Sequence, residues 1–193
     1  ETVKLARELI TDEESAKKIK QLQLLTAKPI LYVSNVLEAE AATGNEYSTQ
    51  MSEKAQQDGT FNIIISSKIE SEIANLDSDE EKQEFLETIG LNETGLNKII
   101  KTGYAMLGLK SYFTAGPQET RAWTFKFGTT APQAAGIIHT DFEKGFIRAE
   151  IISYNDYIAS NGAQGAKDAG KMRLEGKDYI VADGDVIYFR FNV

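Results

Sequence analysis

The sequence predicts an α/β region followed by a smaller α+β region. In the first region, two short apolar runs rich in β-branched residues, 30–34 and 61–65, flank a stretch long enough to hold a helix. Strands joined by such a crossover pair in parallel. After Gly108 the pattern changes to several short strands, some of alternating polarity, which is typical of a small mixed sheet. We place the boundary near Leu109.

The first residues are helical in composition but carry no helix-start signal, so we expect the chain to begin inside a helix and to belong to a longer protein. Thr11, with Glu14 three residues later, has the form of a capping box and predicts a new helix. This helix is expected to end before Pro29. The apolar side chains that it should turn inward are Ile19, Leu22 and Leu25.

Further helices are expected along the rest of the first region. One lies within 35–59, between the two strands, and three more are predicted at 68–75, 79–89 and 93–107. Ser78 is the predicted N-cap of the helix over 79–89. The last helix carries one apolar stripe, formed by Leu96, Ile99, Ile100, Tyr104 and Leu107.

The second region contains four predicted strands and one helical stretch. The strands are expected at 112–114, 121–127, 145–152 and 186–191, the helix at 133–138, and a turn at 183–185.

Composition restricts the possible functions. The chain has 29 acidic and 21 basic residues and a formal net charge of −8, which argues against a globally basic nucleic-acid binder. It has no cysteine, so thiol nucleophiles, disulfides and zinc-thiolate sites are excluded. No apolar run has the roughly 18 residues that a membrane-spanning helix needs. We expect a cytoplasmic protein and, because no exposed heptad seam is present, a monomer.

The most specific local pattern follows the two predicted strands. Residues 35–38 (Asn-Val-Leu-Glu) end the first strand and residues 66–68 (Ser-Ser-Lys) end the second. In open α/β sheets, ligands bind outside the carboxyl ends of the strands. Phosphate-loop GTPases carry Asn-Lys-x-Asp at that place, and the change to Asn-Val-x-Glu alters the acceptors offered to a purine, which argues against strict guanine selection. The alternative is a loop asparagine beside a solvated glutamate.

Two other candidates carry less chemistry. Residues 165–172 match most of the phosphate-loop pattern, but Met172 replaces the hydroxyl that binds Mg²⁺ and no apolar strand precedes them, so we expect a short helix and a turn. The single histidine, His139, is expected to make a structural hydrogen bond. We assign no catalytic residue and no metal site.

Basic residues gather in the second region. It carries 9 basic and 10 acidic residues, whereas residues 1–110 carry 12 and 19, so the acidity belongs to the first region. Basic groups on a near-neutral domain could contact phosphates, although they could equally be ordinary surface charges. The residues selected as possible RNA or ribosome contacts are Arg148, Lys167, Lys171 and Arg173.

Long contiguous strings resemble the YchF/Obg-like ATPase family. LLTAKPILYVSNVLE at 24–38 looks like the base-recognition segment of that family. The strings that look like its C-terminal TGS domain are GYAMLGLKSYFTAG (103–116), RAWT (121–124), TAPQAAG (130–136), IHTDFEKGFIRA (138–149), EGKDYIV (175–181) and FNV (191–193).

The resemblance implies a protein of three parts. Residues 1–26 would end a helical coiled-coil insertion, 27–110 would form the C-terminal strands and helices of a P-loop nucleotide-binding domain, and 111–193 would form a TGS domain of β-grasp fold. The residues implied to line the base pocket are Asn35, Val36 and Glu38, with Ser66, Ser67 and Lys68 closing it.

The resemblance also implies a function. The family accepts ATP, often in preference to GTP, with Mg²⁺, and associates with ribosomes, so the chain is expected to be part of a nucleotide-dependent switch. Because the segments that cradle the phosphates and the metal are absent from this sequence, we do not expect the chain to hydrolyse nucleotide alone. The alternative is a non-catalytic TGS module that recognises RNA or a protein partner.

Overall fold

A computed structural model describes residues 4–192 and divides the chain into two compact units, Glu1–Leu107 and Gly108–Val193. The first unit holds a parallel pair of strands with helices, and the second holds a five-stranded mixed sheet with helices. The predicted fold class, an α/β region followed by an α+β region, is confirmed.

In the first unit, β1 (Tyr32–Asn35) and β2 (Asn62–Ile65) pair in parallel. Helix α2 (Glu46–Gln57) lies in the connection between them. Asn45 caps α2, because its side-chain oxygen accepts a hydrogen bond from the backbone N–H of Ser48 at 2.9 Å. The parallel pairing predicted from the spacing of the two apolar runs is therefore confirmed.

Three helices follow β2, namely α3 (Ser67–Ala74), α4 (Asp79–Thr88) and α5 (Gly95–Met106). Ser78 is the N-cap of α4, as predicted, and its hydroxyl accepts from the N–H of Glu81 at 3.1 Å. The buried hydrophobic cluster of this unit consists of Ala41, Ile69, Ile73, Leu86 and Leu91.

Helix α1 (Glu13–Gln21) begins one residue later than predicted, because its N-cap is Asp12 and not Thr11. The Asp12 carboxylate accepts from the N–H of Ser15 at 2.7 Å, and the Ser15 hydroxyl accepts from the N–H of Asp12 at 3.1 Å. A carboxylate is a stronger acceptor than a hydroxyl and its charge suits a helix N-terminus.

The predicted burial beside α1 is wrong. Leu22 is 66% exposed and Leu25 is 78% exposed, and no residue of α1 is buried. Helical spacing identifies side chains that share a face but does not supply a surface to cover them. Before α1, Ala6–Leu9 form a 3-10 turn. The expectation that the chain begins inside a helix falls partly on residues 1–3, outside the described residues.

The apolar stripe of α5 also lies largely on the surface. Leu96 is 57% exposed and Ile100 is 49% exposed, although their helical spacing matches the prediction. The buried position in this helix is its first residue, Gly95, which packs against Ile65 at the end of β2.

The second unit contains β3 (Leu109–Ala115), β4 (Thr120–Lys126), β5 (Phe146–Ser153), β6 (Arg173–Glu175) and β7 (Asp185–Phe191). The strand order is β4-β3-β7-β5-β6, with β3 and β7 parallel and the other neighbours antiparallel. The helices are α6 (Ala131–Ile138), α7 (Thr140–Lys144), α8 (Tyr154–Ala159) and α9 (Ala163–Asp168). The predicted mixed sheet is confirmed.

One face of this sheet forms the core together with α6. Tyr112 is fully buried, and its hydroxyl donates to the carbonyl of Ala134 at 2.8 Å. Side chains alternate along each strand, so the core residues of the central strands recur at every second position. These are Ala149 and Ile151 on β5 and Ile187 and Phe189 on β7.

Sequence patterns did not predict β6 or the helices α7 and α8. Strand β6 spans three residues and the helices five or six each. Such short elements carry too few positions for a hydrophobic period to show. Within residues 4–192, no helix combines the length and apolar character that crossing a membrane requires.

Candidate functional site

The carboxyl ends of β1 and β2 lie side by side. Asn35 is the register partner of Ile65, and the N–H of Val36 continues the ladder by donating to the carbonyl of Ile65 at 2.8 Å. The loop after β1 and the start of α3 after β2 are therefore held at one edge of the sheet, as the strand order requires.

Asn35 joins these two segments directly. Its side-chain oxygen accepts a hydrogen bond from the backbone N–H of Ser67, the first residue of α3, at 2.9 Å. This contact satisfies one of the helix N–H groups that have no partner within the helix. Ser66 precedes it at the N-cap position and is only 3% exposed, so it belongs to the interior of this edge.

Glu38 and Lys68 form a second link across the same edge. Lys68 Nζ lies 2.6 Å from Glu38 Oε2, and both side chains are substantially exposed. The hydrogen bond to Glu38, reinforced by the attraction of its charge, raises the pKa of Lys68 above its ordinary value. One carboxylate oxygen of Glu38 is engaged by the ammonium group, and its other oxygen has no hydrogen-bond partner among residues 4–192.

Glu40 stabilises the loop that carries Glu38 through hydrogen bonds. Glu40 Oε2 accepts from the side-chain amide of Asn45 at 2.9 Å and from the N–H of Leu37 at 3.2 Å. These contacts hold the segment between β1 and α2 in one conformation. The sequence reasoning passed over Glu40, although its position in the loop after a predicted strand was visible.

A third carboxylate, Glu70, was also missed. Its two oxygens accept from the N–H groups of Gly95 and Leu96, at 2.6 and 3.1 Å, and so cap the start of α5. A Cβ at position 95 would lie 2.5 Å from the Ile65 side chain, so only glycine allows this close approach. Helix α5 thereby supports β2 and α3 behind the edge.

A cavity of about 280 Å³ lies against β1. Asn35 and Val36 line one side, and Tyr47 and Met51 of α2 line another. Tyr47 is 79% exposed, so an aromatic ring borders the opening. The structure thus brings Asn35 and Val36 to a cavity, pairs Glu38 with Lys68 beside them, and keeps Ser66 buried.

The phosphate-loop-like segment is a helix and a turn, as predicted. Gly165 lies inside α9, and a Cβ there would collide with the carbonyl of Ser160, so close chain packing explains this glycine. His139 makes the expected structural hydrogen bond, since its Nδ1 accepts from the N–H of Asp141 at 3.2 Å. In the part of the chain that the structure describes, no group of three or more carboxylate or imidazole side chains could hold a metal ion.

The four selected basic residues differ in their surroundings. Arg173 donates to the Tyr179 hydroxyl at 3.1 Å and lies within 3.7 Å of the buried Asp185 carboxylate. Lys171 is 3.6 Å from Asp156. Across residues 4–192, neither Arg148 nor Lys167 has a carboxylate partner within 4.0 Å. The selected set therefore contains two neutralised cations and two free ones.

The first unit carries polar groups at the carboxyl edge of a parallel strand pair, and the second unit is a separate mixed sheet. The chain is therefore a two-unit α/β protein with a candidate ligand-binding edge. The family model described as "YchF-GTPase_C: Protein of unknown function (DUF933)" matches residues 109–192. Residues 109–192 therefore belong to the family that this model describes, and the predicted resemblance of the chain to the YchF family is confirmed.

Individual relatives extend over the whole chain. A Bacillus subtilis protein named "Ribosome-binding ATPase YchF" is 57% identical over 195 residues, covering 100% of this chain and 53% of that protein. The Haemophilus influenzae protein of the same name is 54% identical, with 100% and 53% coverage. The solved Schizosaccharomyces pombe YchF GTPase matches with a TM-score of 0.79 and 36% identity, covering 95% of this chain and 49% of that one. The chain spans about half the length of the curated relatives it matches.

Proposed function

We propose that this chain is the C-terminal part of a cytoplasmic, ribosome-associated P-loop nucleotide-binding protein that prefers ATP to GTP and acts as a nucleotide-dependent switch. In this assignment residues 1–26 end a coiled-coil insertion, 27–110 complete the nucleotide domain, and 111–193 form the TGS domain. The names of the bacterial relatives, which are ribosome-binding ATPases, support the proposal.

One observation carries the nucleotide part of this proposal. Asn35 bridges to Ser67 beside an open cavity, and Glu38 stands at the same edge with one free carboxylate oxygen. A purine base needs hydrogen-bond groups and apolar contacts of this kind, and Val36 and Tyr47 supply apolar surface. Hydrolysis would also need groups that bind the phosphates and Mg²⁺, and residues 4–192 contain no complete phosphate-loop pattern.

The proposed preference for ATP follows from the donors on each base. Guanine presents two adjacent N–H groups, and a free carboxylate can accept one hydrogen bond from them with each of its two oxygens. Lys68 already engages one oxygen of Glu38, so the remaining oxygen suits the single exocyclic amino group of adenine. Val36, where GTPases carry lysine, offers no further donor or charge to the base.

The base site is tested by titrating ATP and GTP into protein of the full length of these relatives. Asn35→Ala should weaken the binding of both nucleotides by about tenfold, because it removes a hydrogen-bonding group and leaves the N–H of Ser67 without its partner. Asn92→Ala, at an exposed bend, is the matched control. Glu38→Asp combined with Val36→Lys should shift the preference towards GTP. An unchanged ratio of ATP affinity to GTP affinity would contradict the pocket assignment.

Ribosome association is tested separately by cosedimentation. Arg148→Glu and Lys167→Glu reverse the two free cations of the selected set and should reduce the pelleted fraction. If wild-type protein does not pellet with ribosomes, the switch assignment fails. If wild-type protein pellets but binds neither nucleotide, the alternative of a non-catalytic TGS binding module is favoured.

A further inference from the structure

A cavity of about 320 Å³ opens on the face of the second sheet opposite its core. Ala149 on β5 and Phe189 on β7 point into the core. Side chains alternate along a strand, so their neighbours Glu150 and Tyr188 project from the outer face. Residues of both α8 and α9 also line the cavity. The cavity therefore lies where the outer face of the sheet meets these two short helices.

One end of the cavity is apolar. Ile152 and Val186 line it, are register partners on adjacent strands, and are only 3% and 8% exposed. Ala163 and Met172 also line the cavity, and a methionine side chain adapts to the shape of an apolar group beside it. A small apolar group gains free energy when it leaves water for such surroundings.

The other end of the cavity carries a fixed ion pair. Arg190 Nε donates to Glu150 Oε1 at 2.7 Å, and Arg190 Nη2 lies 2.6 Å from the same oxygen. The Glu150 side chain is only 17% exposed. Glu150 Oε2 and Arg190 Nη1 have no partner among residues 4–192. The pair therefore presents one unused acceptor and one unused donor side by side.

Two tyrosines complete the polar end. Tyr157 and Tyr188 line the cavity, and neither hydroxyl has a hydrogen-bond partner in the described part of the chain. The Arg190 guanidinium carbon lies 5.8 Å from the centre of the Tyr188 ring, which helps to orient the guanidinium group. The cavity thus combines an apolar end with a preorganised polar end, as small-molecule sites do.

We propose that this cavity binds a free amino acid with an apolar side chain, in its zwitterionic form. The ammonium group of the ligand donates to Oε2 of Glu150, and its carboxylate accepts from Nη1 of Arg190. The side chain of the ligand lies against Ile152 and Val186. This site belongs to the second unit, and the inference rests neither on the proposed nucleotide site nor on ribosome association.

The charges of the cavity favour a zwitterion. A carboxylate alone would face the unused oxygen of Glu150, and an amine alone would face the guanidinium group of Arg190, so like charges would meet in either case. A zwitterion gives each group a partner of opposite charge. Arg148, the register partner of Arg190, has no carboxylate partner among residues 4–192 and adds positive charge beside the ligand's carboxylate.

The size of the cavity favours a ligand as small as an amino acid. Small-molecule sites run from about 300 to about 1,000 Å³. The cavity, at about 320 Å³, lies at the lower limit of that range. A ligand of about nine non-hydrogen atoms, such as leucine, should bind with a Kd of about 0.1 to 1 mM, because it buries little surface.

The first test is isothermal titration calorimetry of L-leucine into the 193-residue chain. N-acetyl-leucine lacks the ammonium charge and leucinamide lacks the carboxylate, so each should bind at least about tenfold more weakly than leucine. Glycine, which has both charges but no apolar side chain, should also bind more weakly. These comparisons use wild-type protein only, so they do not depend on the folding of a variant.

Variants locate the site. Glu150→Gln should weaken leucine binding by about tenfold, because it removes the charge that faces the ammonium group. Glu119→Gln is the matched control, since Glu119 is an exposed glutamate 3.8 Å from Arg121 in the same unit. Ala163→Phe should abolish binding by filling the cavity, whereas Ala159→Phe, at an exposed position of α8 outside the lining, should not. Circular dichroism checks that each variant is folded.

Three outcomes would overturn the proposal. The first is the absence of binding by leucine, methionine and phenylalanine at concentrations up to about 10 mM. The second is equal affinity for leucine, N-acetyl-leucine and leucinamide, because the cavity would then not recognise the two charges. The third is wild-type affinity in folded Glu150→Gln and Ala163→Phe, which would place the bound amino acid elsewhere on the protein.

Discussion

Lys68 Nζ lies 2.6 Å from Oε2 of Glu38, although thirty residues separate them in the chain. The contact joins the loop after β1 to the first turn of α3. It leaves the other oxygen of the Glu38 carboxylate without a hydrogen-bond partner among residues 4–192, at the edge where Asn35 meets Ser67. An ion pair this exposed contributes little to stability, so its consequence is the orientation of Glu38.

Replacing Lys68 should change base preference. Lys68→Met frees both oxygens of Glu38, so the affinity for GTP should rise relative to ATP by about tenfold in nucleotide titrations of protein of the relatives' full length. Lys101→Met is the matched control, because Lys101 makes a comparable exposed ion pair with Glu93 at 2.7 Å. If the ratio of ATP affinity to GTP affinity is the same in both variants, the Lys68–Glu38 ion pair does not select the base.

Reversing Arg173 should destabilise the second unit. Arg173 lies against the Asp185 carboxylate, which is 2% exposed and also accepts from the Tyr179 hydroxyl at 2.8 Å. Arg173→Glu should cost about 2 kcal/mol of unfolding free energy, because it places like charges together. Lys167→Glu should stay within about 0.5 kcal/mol. Thermal melts monitored by circular dichroism measure the effect. Equal melting temperatures for the two variants would contradict this role of Arg173.

This difference bears on the ribosome experiment. Loss of cosedimentation in Arg173→Glu would combine a folding defect with any lost contact. Arg148→Glu and Lys167→Glu test the contact more directly, because neither residue has a carboxylate partner in the described chain.

Removing the Tyr112 hydroxyl should destabilise the core of the second unit. Burial raises the pKa of Tyr112 far above its ordinary value of 10.0, so the hydroxyl stays protonated and donates to Ala134. Tyr112→Phe should cost about 1 kcal/mol in urea unfolding, since the ring remains packed and only the hydrogen bond is lost. Tyr154→Phe, on a half-exposed ring, is the control. Equal urea midpoints for Tyr112→Phe and Tyr154→Phe would show that the buried hydrogen bond is energetically neutral.

The Asp58 contacts predict a pH dependence in the first unit. Asp58 accepts from Lys54 Nζ and from the Tyr32 hydroxyl, both at 2.7 Å, and these hydrogen bonds, Lys54 first, lower its pKa below 3.8. A carboxyl whose pKa is lower in the folded state stabilises that state above its unfolded pKa and loses the effect as pH falls through its folded pKa.

Asp58→Asn should therefore lower the melting temperature near neutral pH, and the difference from wild type should shrink as pH falls below 3.8. Thermal melts across the acid range measure it. Asp77→Asn, at an exposed position, serves as the control. A difference that persists unchanged into strong acid would show that the Asp58 charge is not responsible.

Much of the candidate site could be predicted from local sequence. Two apolar runs separated by a helix-length crossover indicated parallel strands, and parallel strands place 35–38 and 66–68 at one edge. The role of Glu70 could not be predicted, because its partners are backbone groups of Gly95 and Leu96, which only the packing of α5 brings near. The hydrogen bond of His139 could be anticipated because its partner is two residues away.

The sequence by itself determined the strands of four or more residues, most helix starts and the faces that side chains share, because these depend on neighbours within a few residues. Only the tertiary structure decided which of those faces are covered. Leu96 and Ile100 have the spacing of a buried stripe yet lie exposed. Arg148 and Arg173 look alike in the sequence, but folding places one opposite Arg190 and the other against Asp185. Burial and charge balance depend on contacts between distant residues, and local periodicity contains no information about those partners.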